Sequence, residues 1–598
     1  MEKFNYTKEE ILALKPEDGE LALLTFLKEL DNSYEIYFQP NLNMDRPDIV
    51  VVRKGYGVIV IEVKNFTSIN SFVYNQDNHK ESPAGQVKRY KNNLYDFHIN
   101  GLAEKKVNDS RYFGIVKCSL YLHGQTKEEA IAILLQYDEE YKKSPGRYTI
   151  IGNDSLYINE FQKILCKKSS LFSDELYKEF KEALKPSITD KEQANKPLYS
   201  NTQKNLINRL EPKQQKIKGQ AGSGKTLVLA QRAVNAHKRT GGNILVLTFN
   251  ITLKNYILDK ISAVKGDLSR KNFPGILNYH LFFNIEANNY GLKISKSDDF
   301  EDYDDIDYFE SVKNKINKYD AIFIDEIQDY KTEWIKIIKK YFLADNGEFV
   351  IFGDGKQNIY ERIDIDADSD ISPSTTIPGR WNEQLKENYR SFGEINELSI
   401  EFRNTFFADS KTMQVQELKL QEKPQKNRPV FVKYYNFDLE KQTSNIASFI
   451  PKFCREKNIQ EKDLCIISSK IETVREIDFL YRENNIGKNS LTTFEELETY
   501  NNLKHDKDRE LKLKKIQRSK KYNFQMNPGC LKLSTIHSFK GWESPYIFLI
   551  LNKNEEKKNE NSNMLIYTAI TRARYGLYIF SLANEKYDKF FIDFTNKQ

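Results

Sequence analysis

The chain has 598 residues, of which 39% are hydrophobic and 29% are charged, and its formal net charge is +6. This composition excludes a disordered chain, and the length exceeds the ~250–300 residues that one core usually supports, so several domains are expected. The five cysteines have no paired spacing, which argues against a disulfide framework and against a zinc ribbon. With no apolar run of ~18 residues and no signal-peptide pattern, we expect a cytoplasmic protein without a membrane partner. The small basic excess permits a nucleic-acid partner without requiring one.

A predicted β-hairpin near the N-terminus carries three charged residues that can meet. The apolar runs 49–52 and 58–64 flank a glycine-containing turn and predict two paired strands. Glu62 and Lys64 are two residues apart and therefore share one face of the second strand, while Asp48 enters the first strand. Alternating charges are common on exposed strands, but these lie in an apolar strand, where unpaired charges are costly. The pattern therefore indicates a functional site formed by these three charged residues.

This combination suits metal-assisted cleavage of a phosphodiester. Asp48 and Glu62 would hold Mg²⁺, with Mn²⁺ as an alternative metal, and Lys64 would stabilise charge or position the nucleophile. A helix is predicted upstream, where Glu20 follows a break, and another downstream, where Gln86 and Tyr90 lie one turn apart on one face. Further strands are predicted at 112–122, 130–136 and 147–152.

A phosphate-binding loop follows in the middle of the chain. Residues 219–226 match the pattern G-x-x-x-x-G-K-S/T, in which glycines let successive backbone N–H groups point at phosphates. Lys225 would reach the β and γ phosphates, and Thr226 would offer its hydroxyl to Mg²⁺. An amphipathic helix is predicted to follow, and its N-terminus favours an anion. The candidate nucleotide-binding residues of the loop are Gly219, Gly222, Ser223, Gly224, Lys225 and Thr226.

Apolar strands are predicted to deliver further polar residues to the same sheet edge. The strand at 243–248 ends in Thr248 and Phe249, and the strand at 321–324 ends in Asp325 and Glu326. Asp325 would hold Mg²⁺, and Glu326 would orient or deprotonate the attacking water. A third strand, 349–353, leads to Gln357, a candidate γ-phosphate sensor.

The N-terminal pattern resembles the PD-(D/E)xK nucleases, and the glutamate ahead of the hairpin resembles the nuclease-related domain (NERD) family. This resemblance implies that Glu20 joins the metal site. Gln86 and Tyr90 are similar to the Q-x-x-x-Y helix of RecB-like nucleases, which implies that they lie beside the substrate strand. The alternative is a degenerate fold that kept its core without its chemistry.

The rest of the chain resembles UvrD/Rep-type superfamily 1 helicases in six ordered motifs. Here Gln203 either reads adenine or caps a helix, and Phe249 either stacks on single-stranded DNA or belongs to the core. The resemblance implies the remaining roles: DNA contact for Thr248, Thr535 and His537, adenine stacking for Tyr389, ribose binding for Glu543, γ-phosphate contact for Arg390, and an arginine finger at Arg572.

The expected fold is therefore α/β. A PD-(D/E)xK-like nuclease domain precedes two RecA-like, parallel-sheet motor domains with small insertions. The predicted boundaries are nuclease domain 1–185, linker 186–202, first motor domain 203–380 with an insertion at 268–318, and second motor domain 381–598 with a short basic insertion at 488–529.

The expected function is an ATP-dependent DNA helicase or translocase coupled to a metal-dependent DNA nuclease. The domain order resembles single-chain nuclease–helicase immunity (Nhi-like) proteins, which implies degradation of phage DNA. Two alternatives stay open: a recombination or repair enzyme, and an ATP-switched DNA clamp with an inert nuclease domain. The sequence leaves open whether a protein partner supplies specificity and whether the chain forms oligomers.

Overall fold

A computed structural model describes most of the chain. The described residues are 3–14, 16–40, 42, 45–65, 81–99, 102–185, 188, 199–219, 222–264, 275–294, 301–353, 377, 381–385, 387–390, 393–407, 430–436, 442–485, 488–525, 529–553 and 560–597. Gln357 and most of the predicted linker lie outside these ranges. Among the described helices, none has the length and apolar character needed to cross a lipid bilayer.

The first sheet confirms the predicted hairpin. Its strand order is β1-β2-β3-β4-β5, antiparallel from β1 to β3 and parallel from β3 to β5, with Ile49 opposite Ile61. Buried β-branched residues fill β2 and β3, which suits a sheet covered on both faces. Strand β4 begins at Val116, later than predicted. The strands are β1 (Tyr34–Phe38), β2 (Ile49–Arg53), β3 (Gly57–Lys64), β4 (Val116–Leu122) and β5 (Tyr148–Gly152).

The prediction of a strand at 130–136 is wrong, because this run belongs to a helix. Thr126 and Glu129 form a capping box at the start of the helix, and Ala130 and Leu134 bury one of its faces. The helices around the first sheet are α1 (Lys8–Ala13), α2 (Asp18–Leu27), α3 (Pro83–Asn93), α4 (Leu102–Asn108), α5 (Lys127–Tyr137), α6 (Glu139–Lys143), α7 (Ile158–Gln162) and α8 (Asp174–Leu184).

The second sheet is entirely parallel, with the order β11-β6-β10-β9-β7-β8. Its strands are β6 (Gln214–Gly219), β7 (Ile244–Thr248), β8 (Gly275–Asn278), β9 (Tyr319–Ile324), β10 (Leu343–Gly353) and β11 (Asn382–Leu385). Its helices are α9 (Asn201–Asn208), α10 (Lys225–Thr240), α11 (Leu253–Val264), α12 (Tyr279–Asn289), α13 (Glu301–Asp304) and α14 (Thr332–Ile337).

The predicted insertion at 268–318 is partly a component of this sheet. Strand β8 pairs with β7 at the sheet edge, and α12 buries Tyr279, Phe282 and Phe283 in an aromatic core against the sheet. Burial of these aromatic side chains against β7 and β9 is favourable and holds this part of the segment on the sheet.

The third sheet is also parallel, with the order β12-β17-β16-β13-β15-β14. Its strands are β12 (Phe431–Asn436), β13 (Leu464–Ser468), β14 (Ser490–Thr492), β15 (Leu531–Thr535), β16 (Ser544–Leu551) and β17 (Ala573–Ser581). Its helices are α15 (Gly393–Phe406), α16 (Gln442–Lys457), α17 (Ile471–Asn484), α18 (Leu497–Asn502), α19 (Arg509–Asn523), α20 (Ile536–Phe539), α21 (Glu560–Ile570) and α22 (Asp588–Asn596). The basic insertion predicted at 488–529 thus begins with the edge strand β14 and continues as the basic helix α19, which buries no residue.

The second and third sheets share one apolar core. The rings of Tyr256 on α11 and Trp542 beside β16 lie 5.4 Å apart, so the core continues across the junction of the two sheets. This packing brings the carboxyl end of the second sheet against the loops of the third.

Candidate active sites

The first site lies at the end of the hairpin in the first sheet. Lys64 Nζ donates a hydrogen bond to Glu62 Oε1, and Asp48 Oδ2 accepts one from the Val63 amide at 2.7 Å. Glu62 is 1% exposed. The fold therefore brings together the two carboxylates and the lysine that the sequence places on neighbouring strands.

Burial and mutual repulsion dominate the electrostatics of this site. Burial, with the neighbouring Glu62 carboxyl, raises the pKa of Asp48, and burial also raises the pKa of Glu62. Burial alone lowers the pKa of Lys64, but Glu62 and Asp48 outweigh this effect and raise it. Glu20, on α2, has a pKa raised mainly by burial and is held by Gln39 Nε2 at 2.8 Å. A cation would relieve the repulsion among these carboxylates.

Helix α3 brings the predicted glutamine and tyrosine into contact with the strand lysine. Gln86 Oε1 accepts from Lys64 Nζ at 3.3 Å, and Gln86 Nε2 donates to Tyr90 Oη at 2.9 Å. Tyr90 Oη in turn donates to the Arg46 carbonyl at 3.3 Å. The chain of hydrogen bonds fixes the ammonium group beside the carboxylates. It also shows that Gln86 and Tyr90 share one helix face, as predicted.

The residues present fit a hard divalent cation. Glu62 Oε2 is buried and has no hydrogen-bond partner among the described residues, so one carboxylate oxygen is available as a ligand. Within the described ranges, no group of three or more His, Cys, Asp or Glu residues is arranged to hold a metal unaided. Mg²⁺ commonly binds through one or two carboxylates and takes its other oxygens from substrate and water. Asp48 and Glu62 meet that requirement.

The phosphate loop occupies the second site, after β6. Gly222 and Gly224 have φ angles of 77° and 82°, which favour glycine, and a Cβ at Gly222 would collide with Asn388. Lys225 Nζ donates to the Gly219 carbonyl at 2.9 Å, so the lysine side chain folds back over the loop. The loop is thus closely packed against the segment that follows β11.

The two predicted metal ligands of this site are in contact. Thr226 Oγ1 donates to Asp325 Oδ2 at 2.9 Å, which joins the start of α10 to the end of β9. Glu326 has a left-handed φ of 52°, uncommon outside glycine, and its carboxylate accepts a hydrogen bond from Gln328. Burial acts to raise the pKa of Glu326, but Lys225 and other nearby cations outweigh burial and lower it. Glu326 is therefore an ionised group held in a strained backbone.

Two arginines border the site: Arg390 lies on the segment that follows β11 of the second sheet, and Arg572 lies directly before β17 of the third. Arg390 Nε donates to Glu543 Oε2 at 2.7 Å, and Lys260 from α11 also pairs with Glu543 at 3.5 Å. These cations outweigh burial and hold the pKa of Glu543 well below its usual range. Arg572 is 2% exposed and donates to the Thr568 carbonyl at 3.0 Å. The residues predicted to bind γ-phosphate and ribose thus contact one another in this structure.

Gln203 is a helix cap in this structure, the second of its two predicted roles. Its Oε1 accepts from Ser200 N at 3.0 Å, and its Nε2 donates to the Ser223 carbonyl at 3.1 Å. Tyr389 is half-buried, its hydroxyl donates to Glu387, and its amide donates to the Gly222 carbonyl at 2.9 Å. Both residues border the phosphate loop.

The predicted DNA-contacting residues lie at facing strand ends. Phe249 is half-buried and stacks on Trp334 with a centroid distance of 6.1 Å, so it belongs in part to the core, as its alternative prediction states. Thr248 is buried, and Thr535 caps α20 by accepting from Ser538 N at 3.2 Å. Phe249 and Thr535 are therefore engaged in structural contacts.

His537 lies in the same strand-end region, half-buried, with a pKa lowered by burial and by neighbouring lysines. Asn250, which follows Phe249, donates through Nδ2 to the carbonyls of His537, Ser538 and Lys540 at 3.3, 3.2 and 3.2 Å. The predicted DNA-contacting segments of the two sheets are thus joined directly. Asn250 has no sequence signal of its own.

Sequence reasoning also missed a buried ion pair between the second and third sheets. Lys540 Nζ contacts both oxygens of Asp329 at 2.6 and 2.8 Å, and each side chain is 1% exposed. Asp329 and Lys540 each lie within one of the helicase-like motifs, and those motifs were the sequence signal that could have indicated the pair. The pair links the segment after Glu326 to the segment after His537.

Breaking this pair is expected to destabilise the junction strongly. Lys540→Met leaves the Asp329 charge buried, at a cost of about 3–5 kcal/mol, whereas removing both charges in Lys540→Met/Asp329→Leu should recover most of that loss. Thermal unfolding of both variants measures the difference. Lys597→Met, which removes an exposed pair with Glu401, is the control and should unfold like the wild type. Equal destabilisation of the single and double variants would contradict the assignment.

Comparisons with known proteins match three separate parts of the chain. Three family models match the chain: the nuclease-related domain over residues 15–116, the AAA domain over 203–362 and the UvrD-like helicase C-terminal domain over 531–580. The first range contains the hairpin carboxylates, the second the phosphate loop and Glu326, and the third His537 and Arg572.

The crystal structure of arterivirus nonstructural protein 10 (helicase) matches at 12% identity with a TM-score of 0.28, which carries no argument about this chain. The match covers 64% of this chain and 63%, less than two thirds, of the viral one. No curated protein matches. The chain thus combines, in this order, regions that match the nuclease-related domain, the AAA domain and the UvrD-like helicase C-terminal domain.

Proposed function

We propose that this protein is an ATP-driven DNA translocase or helicase that delivers DNA to its own Mg²⁺-dependent nuclease domain. The observation that supports the proposal is that two groups of candidate catalytic residues come into contact within one chain. One joins Asp48, Glu62 and Lys64, and the other joins Thr226 with Asp325 beside Glu326.

In the nuclease domain, Asp48 and Glu62 would hold Mg²⁺ or Mn²⁺, which supplies Lewis-acid activation of the phosphodiester and of water when bound. Lys64, fixed by Gln86, places a positive charge where negative charge develops on the phosphate during attack. Tyr90 accepts a hydrogen bond from Gln86 and holds it in position, and both would lie beside the substrate strand. Glu20 adds a third acidic group within electrostatic reach of Asp48.

In the motor, Lys225 binds the β and γ phosphates, and Glu326 accepts a proton from the attacking water or orients it. Mg²⁺ held by Thr226 and Asp325 would neutralise phosphate charge when bound. Arg390 and Arg572 stabilise the charge that develops on the γ-phosphate. Opening and closing of the junction between the second and third sheets would then move a single strand held at the facing strand ends, with Gln357 as a γ-phosphate sensor.

The nuclease domain is attached to the third sheet through the segment 458–463. Gln460 Nε2 donates to the carbonyls of Glu182 and Lys185 at 3.3 and 2.6 Å, and Asp463 Oδ2 accepts from Ile188 N at 3.1 Å. A cavity of about 540 Å³ adjoins these bonds. We infer that the nuclease moves together with the second motor domain.

Weakening this attachment should uncouple the two activities. Gln460→Ala removes two hydrogen bonds worth about 1 kcal/mol each, so ATP stimulation of cleavage should fall by a factor of roughly five to thirty, while ATP hydrolysis is unchanged. Asn489→Ala, whose side chain lines the same cavity, is the matched control. Both rates are measured on the same single-stranded substrate. Full ATP stimulation in Gln460→Ala would contradict the coupling route.

The proposed function is tested by incubating the wild-type protein with single-stranded and duplex DNA and Mg²⁺, with and without ATP. Cleavage that ATP increases supports the proposal. DNA-dependent ATP hydrolysis without cleavage in Mg²⁺ or Mn²⁺ would instead support the ATP-switched clamp.

The biological role that we propose is degradation of foreign DNA, such as phage DNA, in a bacterial cell. It is supported by the order of the domains alone. Phage challenge of cells with and without the gene, and with the Lys64→Ala variant, tests it. Equal phage yields in all three strains, together with sensitivity to DNA damage, would favour a repair role.

A further inference from the structure

Asp45 is a buried aspartate that belongs to none of the motifs. It anchors the loop that leads into the proposed nuclease site. Asp45 is 5% exposed, and its carboxylate accepts hydrogen bonds from Arg89 and, at 2.6 Å, from Asn93 Nδ2, both on α3. His98 Nε2 lies 3.0 Å from the same carboxylate. One side chain thus ties three positions on and after α3 to a single point.

The loop that Asp45 anchors reaches the proposed site at two places. At its start, Gln39 donates to the Glu20 carboxylate, and at its end Asp48 belongs to the carboxylate pair. Between them, the Arg46 carbonyl accepts from Tyr90 Oη. The loop and α3 therefore each contribute residues to the same proposed site. Those residues can interact only if the loop and α3 keep their relative position.

We propose that Asp45 is a positioning residue for phosphodiester cleavage, acting by clamping α3 to the loop before Asp48. Two of its partners, Arg89 and Asn93, lie on the helix that carries Gln86 and Tyr90, and the third, His98, follows that helix. Without the clamp, Gln86 is no longer held at the distance from which it orients Lys64, and Asp48 is no longer fixed relative to Glu62. Outer-shell residues of this kind typically change metal affinity or activity by about 10–100-fold.

The inference rests on the proposed nuclease function, and it is tested on the full chain with Mg²⁺ as the titrated ligand. Asp45→Ala should lower kcat for DNA cleavage by about 10–100-fold and raise the Mg²⁺ concentration for half-maximal cleavage, with KM for DNA little changed. Asp45→Asn keeps one acceptor oxygen and should lie between Asp45→Ala and the wild type. ATP hydrolysis by the same molecules should stay at the wild-type rate, which shows that the chain is folded.

Glu35→Gln is the matched control. Glu35 is another largely buried carboxylate of the first sheet, bonded by Tyr37 Oη at 2.7 Å and by Lys181 Nζ at 3.0 Å, but it does not contact the site. The Mg²⁺ concentration for half-maximal cleavage (the Mg²⁺ midpoint) should be the same in Glu35→Gln as in the wild type. The inference would be overturned, but not the proposed function, if Asp45→Ala left kcat and the Mg²⁺ concentration for half-maximal cleavage unchanged. It would also be overturned if Glu35→Gln shifted them as much as Asp45→Ala does. A wild-type protein that cleaves nothing would overturn the proposed function and the inference together.

Discussion

Lys225→Ala is expected to reduce kcat for ATP hydrolysis by about 10²–10³-fold, the usual effect of deleting one group that stabilises transition-state charge. The lysine is 8% exposed and folded over the phosphate loop, so its charge acts at low local dielectric. The fold should survive, because the ammonium group donates to the Gly219 carbonyl of the same loop and does not join separate elements of the core. Steady-state hydrolysis with saturating single-stranded DNA measures the effect.

Lys213→Ala is the control for this experiment. Lys213 is exposed at the approach to β6, and its Nζ donates to the Asn346 carbonyl at 2.8 Å, away from the phosphate loop. Hydrolysis by Lys213→Ala should match the wild type. Substantial hydrolysis by Lys225→Ala would contradict the phosphate-binding role. Cleavage without ATP should persist in Lys225→Ala, and loss of only the ATP-stimulated cleavage would mean that the motor feeds the nuclease.

Glu62→Gln is expected to abolish DNA cleavage while leaving ATP hydrolysis intact. The substitution keeps the shape of a side chain that is 1% exposed, but it removes the charge that would hold the metal and that pairs with Lys64. The expected loss is about 10²–10³-fold or more, and Lys64→Ala should produce a similar loss without removing a carboxylate. Cleavage of end-labelled DNA in Mg²⁺ and in Mn²⁺ measures both variants.

Lys54→Ala is the control on the same hairpin. Lys54 stands in the turn between β2 and β3, where its side chain is 54% exposed and pairs with Asp174. Its removal should leave cleavage unchanged. If Glu62→Gln cleaves at the wild-type rate, the hairpin is not the nuclease site. If Glu62→Gln also loses ATP hydrolysis, the substitution disturbs the fold rather than the chemistry.

Local patterns in the sequence were sufficient to predict the hairpin and the strands that end at Thr248, Ile324 and Gly353. Each is a run of β-branched or apolar residues bounded by glycine or by charge, and burial of such runs dominates the free energy of folding. The run at 130–136 was wrongly predicted to be a strand, because a short apolar stretch fits a strand or a buried helix equally well. The capping residues Thr126 and Glu129 favour the helix that the structure shows.

The sequence by itself determined which residue types stand at the ends of strands, and hence the two candidate chemistries. Motif spacing is local, and glycine, lysine and carboxylate requirements are set by phosphate and metal chemistry. Only the tertiary structure decided which of those residues touch. It makes Gln203 a helix cap, pairs Arg390 with Glu543, joins Lys540 to Asp329 and ties Asp45 to α3. The physical reason is that each of these contacts joins residues whose proximity depends on how separate elements pack, which no local pattern encodes.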